Sequence, residues 1–277
     1  MGHGIIVDSC CDLPNEMRRD MHAISVPLTL LLGDDEYVDD ESLDVQIFMR
    51  AMKACKKKIH SAAPPPRLFQ KAIQDSLAEY VITLSSKLSA SYSSAVLGSE
   101  QAREVCGREA HVFDSKSACA GETLIALKLH ELIAQEWPKA RIIKAVQSFI
   151  DSMKTYFVLE NYDNLQKNGR LNRIAGSLIH ILNIKLIMGA DGEGGIALFE
   201  RARRGHGTIR QLLSLIERSG KNTADENMVI SHCNNQEFAE RLREEVRQAF
   251  QFKQVYIVPT GGLSSLYADE KGIVIAF

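Results

Sequence analysis

Through the first half of the chain, short apolar runs alternate with segments whose apolar residues recur at spacings of three and four. His3 to Val7, Ser25 to Leu32, Tyr80 to Leu84 and Ala110 to Phe113 read as strands. Asp44 to Lys57, Arg67 to Ala78, Ser91 to Arg103 and Ala118 to Gln135 read as helices. Strand and helix in this alternation predict an α/β unit on a mainly parallel sheet. A helix over Ala140 to Lys154 then leads to a strand at Tyr156 to Leu159, and the texture shifts towards turns and hairpins. Lys185 to Met188 and Ile196 to Arg201 flank a glycine-rich turn over 189–195, the pattern of an antiparallel hairpin. Helices over Thr208 to Arg218 and Gln236 to Phe250 are each followed by a strand, Met228 to Ser231 and Gln254 to Val258, before a closing strand from Gly272 to Phe277. The expected organisation is an α/β domain over residues 1–154 and a mixed α/β domain over 155–277.

A chain of 277 residues exceeds the usual single-domain size, which agrees with two cores. The formal net charge of −2 provides no electrostatic footprint for nucleic acid or an anionic membrane surface. The six cysteines include no C-x-x-C pair and no His at metal-ligand spacing, so free thiols in a reducing cytoplasm are expected and no metal or cofactor is called for. The N-terminus enters its first strand at once, leaving no room for a secretion signal, and no window approaches a membrane-spanning length.

The most informative chemistry lies where the strand from Tyr80 to Leu84 runs into six closely spaced serines, Ser85, Ser86, Ser89, Ser91, Ser93 and Ser94. Hydroxyls beside the free amides of a helix start suit a carboxylate or phosphate. The first acid downstream of Ser89 is Glu100, so no local base turns a serine into a nucleophile. Two other strands end in the same dipeptide, Asp8-Ser9 and Asp114-Ser115, whose first reading is capping and turn formation and whose second is ligand contact at the carboxyl ends of a parallel sheet. Ser61, before Ala62-Ala63-Pro64, reads as a turn residue able to point at a neighbouring loop. Arg170 and Arg173 flank a glycine turn and suit either a bidentate carboxylate contact or a solvated basic loop. The stretch from Arg201 to Gly207 reads as a basic loop with Thr208 capping the next helix, a surface for an acidic protein rather than a phosphate loop, because it lacks the full glycine signature. The apolar run from Leu178 to Met188 is either core or the wall of a hydrophobic cavity, and His180 within it has no acidic partner at helical spacing.

Five segments taken together resemble the DegV family across the whole chain: Val7-Asp8-Ser9-Cys10-Cys11-Asp12-Leu13-Pro14, Ser61-Ala62-Ala63-Pro64, Leu84 through Tyr92, Phe113-Asp114-Ser115 and Gly169-Arg170-Leu171. Leu182-Asn183-Ile184-Lys185 also stands where that family has a similar segment. The resemblance implies a bacterial, FakB-like fatty-acid-binding protein. It would enclose a long-chain fatty acid between an N-terminal Rossmann-like domain and a C-terminal α/β domain. The carboxylate would then be presented to a separate ATP-dependent fatty acid kinase. It further implies that Ser61 and Ser89 bind the carboxylate, that Arg170 supports them, and that Arg173, Arg201 and Arg203 dock the kinase. Three positions depart from the family pattern. Tyr267 is the nearest replacement for a His common in the final glycine-rich segment, and its phenol carries no positive charge. Ala90 replaces a Gly beside the carboxylate, and Leu186 replaces a Pro after the Ile-Lys pair. Two other functions compete: a small-molecule phosphotransferase or hydrolase using Asp8, Asp114 and the Arg201 to Gly207 loop, and a regulatory ligand sensor without a kinase partner.

Overall fold

The computed structural model describes residues 4–171, 184–203 and 206–277. Its first sheet is four parallel strands in the order β2-β1-β6-β7, formed by Ile5–Asp8 (β1), Ala23–Val26 (β2), Tyr80–Thr83 (β6) and His111–Asp114 (β7). Every residue of β1 and β6 is buried, as expected for a parallel sheet covered on both faces. Alternation along β1 sends Ile6 towards Phe69 and Ile73 of α3 (Pro66–Gln74) and Ala95 of α4 (Ser91–Cys106). Ile5 and Val7 join the opposite core with Leu124, Ile125 and Leu129 of α5 (Ala120–Ala134).

The second sheet has six strands in the order β10-β9-β8-β13-β11-β12. They are Thr155–Val158 (β8), Ile184–Ala190 (β9), Ile196–Arg203 (β10), Asn227–His232 (β11), Gln254–Pro259 (β12) and Ile273–Ala276 (β13). Among the described residues of this sheet, only β11 and β12 pair in parallel. Its outer face is covered by α8 (His206–Arg218) and α9 (Gln236–Ala249), and its inner face meets α5 through β11 and β13. Helix α5 is apolar around most of its circumference because it has a sheet on both sides, β6 on one and β11 and β13 on the other. The remaining helices are α1 (Asn15–Asp20), α2 (Val45–Ala54), α6 (Lys139–Ser152), α7 (Asp163–Lys167) and α10 (Gly262–Ala268).

The sequence pattern differs from the structure in one region that matters for the site. Ser25 to Leu32 reads as one strand, but Pro27 interrupts it: β2 ends at Val26 and β3 (Thr29–Leu32) enters a separate sheet of three antiparallel strands, β4-β3-β5. Proline has no N–H to give a ladder, and the Ser9 hydroxyl accepts the Leu28 amide at 3.0 Å to fix the crossing. The other two strands are Asp35–Val38 (β4) and Ile59–Ala62 (β5). Ser61 therefore sits on a strand opposite Leu30, not in a turn. Likewise, Arg201 and Arg203 belong to β10, and Thr208 lies inside the first turn of α8 instead of capping it.

Helices α3 and α4 approach so closely that a Cβ at Gly98 would stand 2.5 Å from the Pro66 carbonyl oxygen and 2.7 Å from Phe69 Cβ. Gly98→Ala should therefore destabilise the fold by roughly 1–3 kcal/mol, since backbone has to move. Urea denaturation checks this, and an unchanged midpoint would show that the helices have room to separate.

Candidate functional site

The carboxyl ends of β1, β6 and β7 converge on the serine-rich loop, and each of its hydroxyls has a distinct environment. Asp8, fully buried, accepts from Cys10 N at 3.1 Å, Leu84 N at 3.0 Å and Ser91 Oγ at 2.5 Å. Asp114 accepts from the Ser86 amide at 3.1 Å and from the Lys116 amide at 3.0 Å. Both aspartates thus tie strand ends to the loop, the capping role the sequence favours. Ser85 donates to the Gly194 carbonyl in the β9–β10 turn at 2.7 Å, which binds the loop to the second sheet. Gly194 has φ +92°, and a Cβ there would lie 2.3 Å from Ser85 Oγ. Ser89 accepts from the Ser91 amide at 3.1 Å, leaving its own hydroxyl proton for another acceptor.

Ser89 and Ala90 line a cavity together with Ser61, Arg170 and Tyr267. All five residues proposed from the sequence as ligand contacts are thus gathered on one cavity. Ser61 Oγ, on β5, lies 3.0 Å from Tyr267 Oη on α10, so the phenol stands within hydrogen-bond reach of the serine. Arg170 donates from Nε to the Leu88 carbonyl at 3.1 Å, and one Nη to the Asn168 carbonyl, clamping the serine loop from the far side. The rest of the wall is mainly apolar: Leu28, Leu84 and Leu88 from the first half, Phe157, Leu159, Leu165, Ile196 and Val274 from the second, and Leu263 and Ala268 from α10. Among the described residues no Asp, Glu or His lines the cavity.

The kinase-docking candidates lie elsewhere. Arg201 is exposed on β10 opposite Leu186, away from the cavity wall. Arg203 closes β10 opposite Ile184. Arg173, His180, most of the run from Leu178 to Met188, and the centre of the Arg201 to Gly207 segment lie outside the described residues.

Three buried carboxyl groups support this site and have no local signature in the sequence. Asp39 accepts the amides of Gly262 and Leu263, both at 3.0 Å, and so caps α10, which carries Tyr267. Asp12 accepts the Gly261 amide at 2.9 Å. Burial, more than any neighbour, pushes Asp12 up to about 7 and Asp39 up to about 6. Glu122, in the first turn of α5, is fully buried beside Asp8 and Cys10. Burial, followed by the charge of Asp8, raises it well above the ordinary range, and burial raises Asp8 as well, against the opposing hydrogen bonds from Ser91, Leu84 and Cys10.

Fold and site geometry together define an α/β protein built on a parallel sheet and a mixed sheet, with a small third sheet beside them and a mainly apolar cavity that hydroxyls help to line. The chain belongs to the DegV family: residues 3–277 match the family described as "Uncharacterised protein, DegV family". A DegV domain-containing protein of Streptococcus pneumoniae is 32% identical over 277 residues, 99% of this chain and 98% of its own length. The crystal structure of a DegV family protein from Ruminococcus gnavus, refined with vaccenic acid, superimposes with a TM-score of 0.92 at 34% identity, covering 99% of both chains. The Streptococcus pneumoniae Fatty Acid Kinase (Fak) B3 protein, loaded with linoleic acid, superimposes with a TM-score of 0.91 at 31% identity, covering 100% of this chain and 99% of its own. The family is the one the sequence motifs resemble, and the α/β fold with an N-terminal parallel sheet and a second, mixed sheet is the one expected.

The raised carboxyls make stability depend on pH in a definite direction. Asp12 and Asp39 hold protons in the folded protein at pH values where the unfolded chain, at 3.8, has released them. Their contribution is complete below the ordinary carboxylate value and is lost as pH rises through about 6 for Asp39 and about 7 for Asp12. The melting temperature should accordingly fall between pH 5 and pH 8, and fall less steeply in Asp12→Asn. Identical slopes for the two proteins in calorimetry would mean that Asp12 does not titrate in this window.

Proposed function

We propose that this protein is a non-catalytic, cytoplasmic carrier that encloses a long-chain fatty acid in the cavity and presents its carboxylate to a separate ATP-dependent fatty acid kinase. The observation that supports this most directly is the composition of the cavity wall: apolar along most of its surface, with hydroxyls, one guanidinium and the Lys116 ammonium among its lining groups and, among the described residues, no acid or imidazole to act as a base. The acyl chains held by the Ruminococcus gnavus and Streptococcus pneumoniae proteins, at 34% and 31% identity, point the same way. Residues 1–154 then form the domain that supplies Ser61 and Ser89, and residues 155–277 the domain that encloses the tail and contributes Arg170 and Tyr267.

The energetics of such a ligand divide cleanly. Burying about fifteen methylenes yields roughly 12 kcal/mol at ~0.8 kcal/mol each, before association and ordering costs. The carboxylate adds orientation through charge-assisted hydrogen bonds of roughly 1.5–3 kcal/mol each, from the free hydroxyl proton of Ser89 and from the Ser61–Tyr267 pair, which has one proton to spare. Arg170 acts by holding the Leu88 carbonyl and with it the serine loop. A phosphotransferase or hydrolase loses its candidate groups, since Asp8 and Asp114 are occupied with backbone amides and serine hydroxyls.

Native mass spectrometry of the purified protein, followed by organic extraction, should show one fatty acid per chain. Ser89→Ala should keep the fold and raise the exchange rate of that acid by roughly tenfold, the loss of one hydrogen bond to a charged group. Unchanged exchange would remove Ser89 from the headgroup site. Arg201→Glu should reduce phosphorylation by a fatty acid kinase while leaving fatty-acid affinity intact, because the side chain is exposed away from the cavity. Equal loss of both would place Arg201 in lipid binding.

A further inference from the structure

The parallel sheet carries a second concave site at its opposite end. The cavity described above takes in Cys10, Leu84 and Lys116, just past the carboxyl ends of β1, β6 and β7. A separate cleft takes in Met21, His22, Glu79 and Tyr80, where β2 and β6 begin, and is closed by the turn that joins α5 to α6. Its volume of about 610 Å³ lies within the roughly 300–1,000 Å³ of small-molecule sites.

Tyr80 opens β6 and is only 1% exposed. Alternation along β6 turns it, with Ile82, to the α5 face, where its ring stacks on Phe113 at 6.3 Å. On that same face His130 and Ile133 of α5 and Trp137 of the following turn line the cleft with it. The Tyr80 hydroxyl has no hydrogen-bond partner among the described residues. Burial, helped by the charge of Glu79, pushes the phenol up to about 12, so it stays a neutral hydroxyl. A polar group this deep calls for a partner, and the cleft is where one can enter.

The charge of the cleft indicates what that partner is. Asp20, Glu79 and Glu136 face a single lysine, Lys139, which is already 3.3 Å from Glu79. Asp20 and Glu136 are exposed and their carboxylates have no partner among the described residues. The last turn of α5 adds the negative end of its dipole, with no basic residue to offset it. The electrostatics thus favour a cation. Among the described residues no three His, Cys, Asp or Glu side chains are grouped to hold a metal ion, so the cation that fits is organic. The three acids come from separate chain segments, with Met21, Ile133 and Ile142 supplying apolar wall. Carboxylates set apart by hydrocarbon match ammonium groups joined by methylenes.

We propose that this cleft binds an aliphatic polyamine, one ammonium donating to the Tyr80 oxygen and the others meeting Asp20 and Glu136. The inference stands independently of the fatty-acid reading, because the cleft and the cavity share no lining residue.

Trp137 is the single tryptophan of the chain and lines the cleft beneath the Arg141 guanidinium, so its fluorescence reports on this place alone. Spermidine titrated into the purified protein should give a saturable one-to-one heat in calorimetry and a change in Trp137 emission with the same midpoint. Tyr80→Phe removes only an unpaired oxygen, and should keep the melting temperature while weakening binding roughly tenfold. Asp20→Asn combined with Glu136→Gln, both at exposed positions, should weaken it by a similar factor. If Tyr80→Phe lowers the melting temperature, the carboxylate pair decides. The proposal is overturned by an absence of saturable heat, by heat without a change in Trp137 emission, or by affinity that survives loss of the two carboxylates. An emission change that sodium chloride of equal ionic strength reproduces, or displacement of spermidine by an equal concentration of magnesium chloride, would overturn it too.

Discussion

The carboxylate of Asp8 is the point on which the site depends. It sits at the end of a fully buried strand and gathers the Cys10 amide, the Leu84 amide and the Ser91 hydroxyl, thereby joining β1, β6 and the start of α4. Buried carboxyl oxygens are tolerated only when such donors surround them, so this one side chain dictates the local path of three chain segments at once. That path sets Ser89 at the cavity, with its hydroxyl oxygen accepting the Ser91 amide and its proton left over. Glu122 is buried in the same corner, and burial followed by the charge of Asp8 pushes its carboxyl up.

What the sequence reveals follows from the range of the forces involved. The parallel sheet and its helices were legible because consecutive apolar residues at periods of two and three to four are local signals. The break at Pro27 was equally local, yet the apolar run continues across it, and an unbroken run outweighs a single residue when only pattern is read. Strand β4, Asp35–Val38, is charged and largely exposed, so no hydrophobic alternation announces it. Ser61 through Arg170 could be named because motifs carry them, but their convergence rests on contacts such as Ser61 with Tyr267, 206 residues apart. Asp39 capping α10 across 223 residues leaves no local trace at all.

Hydroxyls recur throughout this protein because they satisfy buried amides without adding charge. Ser9 accepts Leu28 N, Ser99 accepts Ala110 N, and Ser115 accepts Ser117 N. Against that background, the hydroxyls of Ser89 and of Ser61 with Tyr267 stand apart: each group lines the cavity and has a proton that its own hydrogen bonds leave unused. The distinction between a structural and a receptive hydroxyl lies in this proton count, not in residue type.

The bond from Ser85 to the turn of the β9–β10 hairpin is made to a backbone carbonyl, at Gly194. The latch therefore needs no particular side chain at Gly194, and the turn that presents the carbonyl is held by Asp191, which accepts the Glu193 and Gly195 amides at 2.8 and 2.9 Å. The requirement at Gly194 is for glycine itself, fixed by its left-handed backbone and by the oxygen that occupies the space of its absent Cβ. The latch thus depends on backbone shape and on Asp191, while the exposed side chain of Glu193 at the tip takes no part in it beyond its amide.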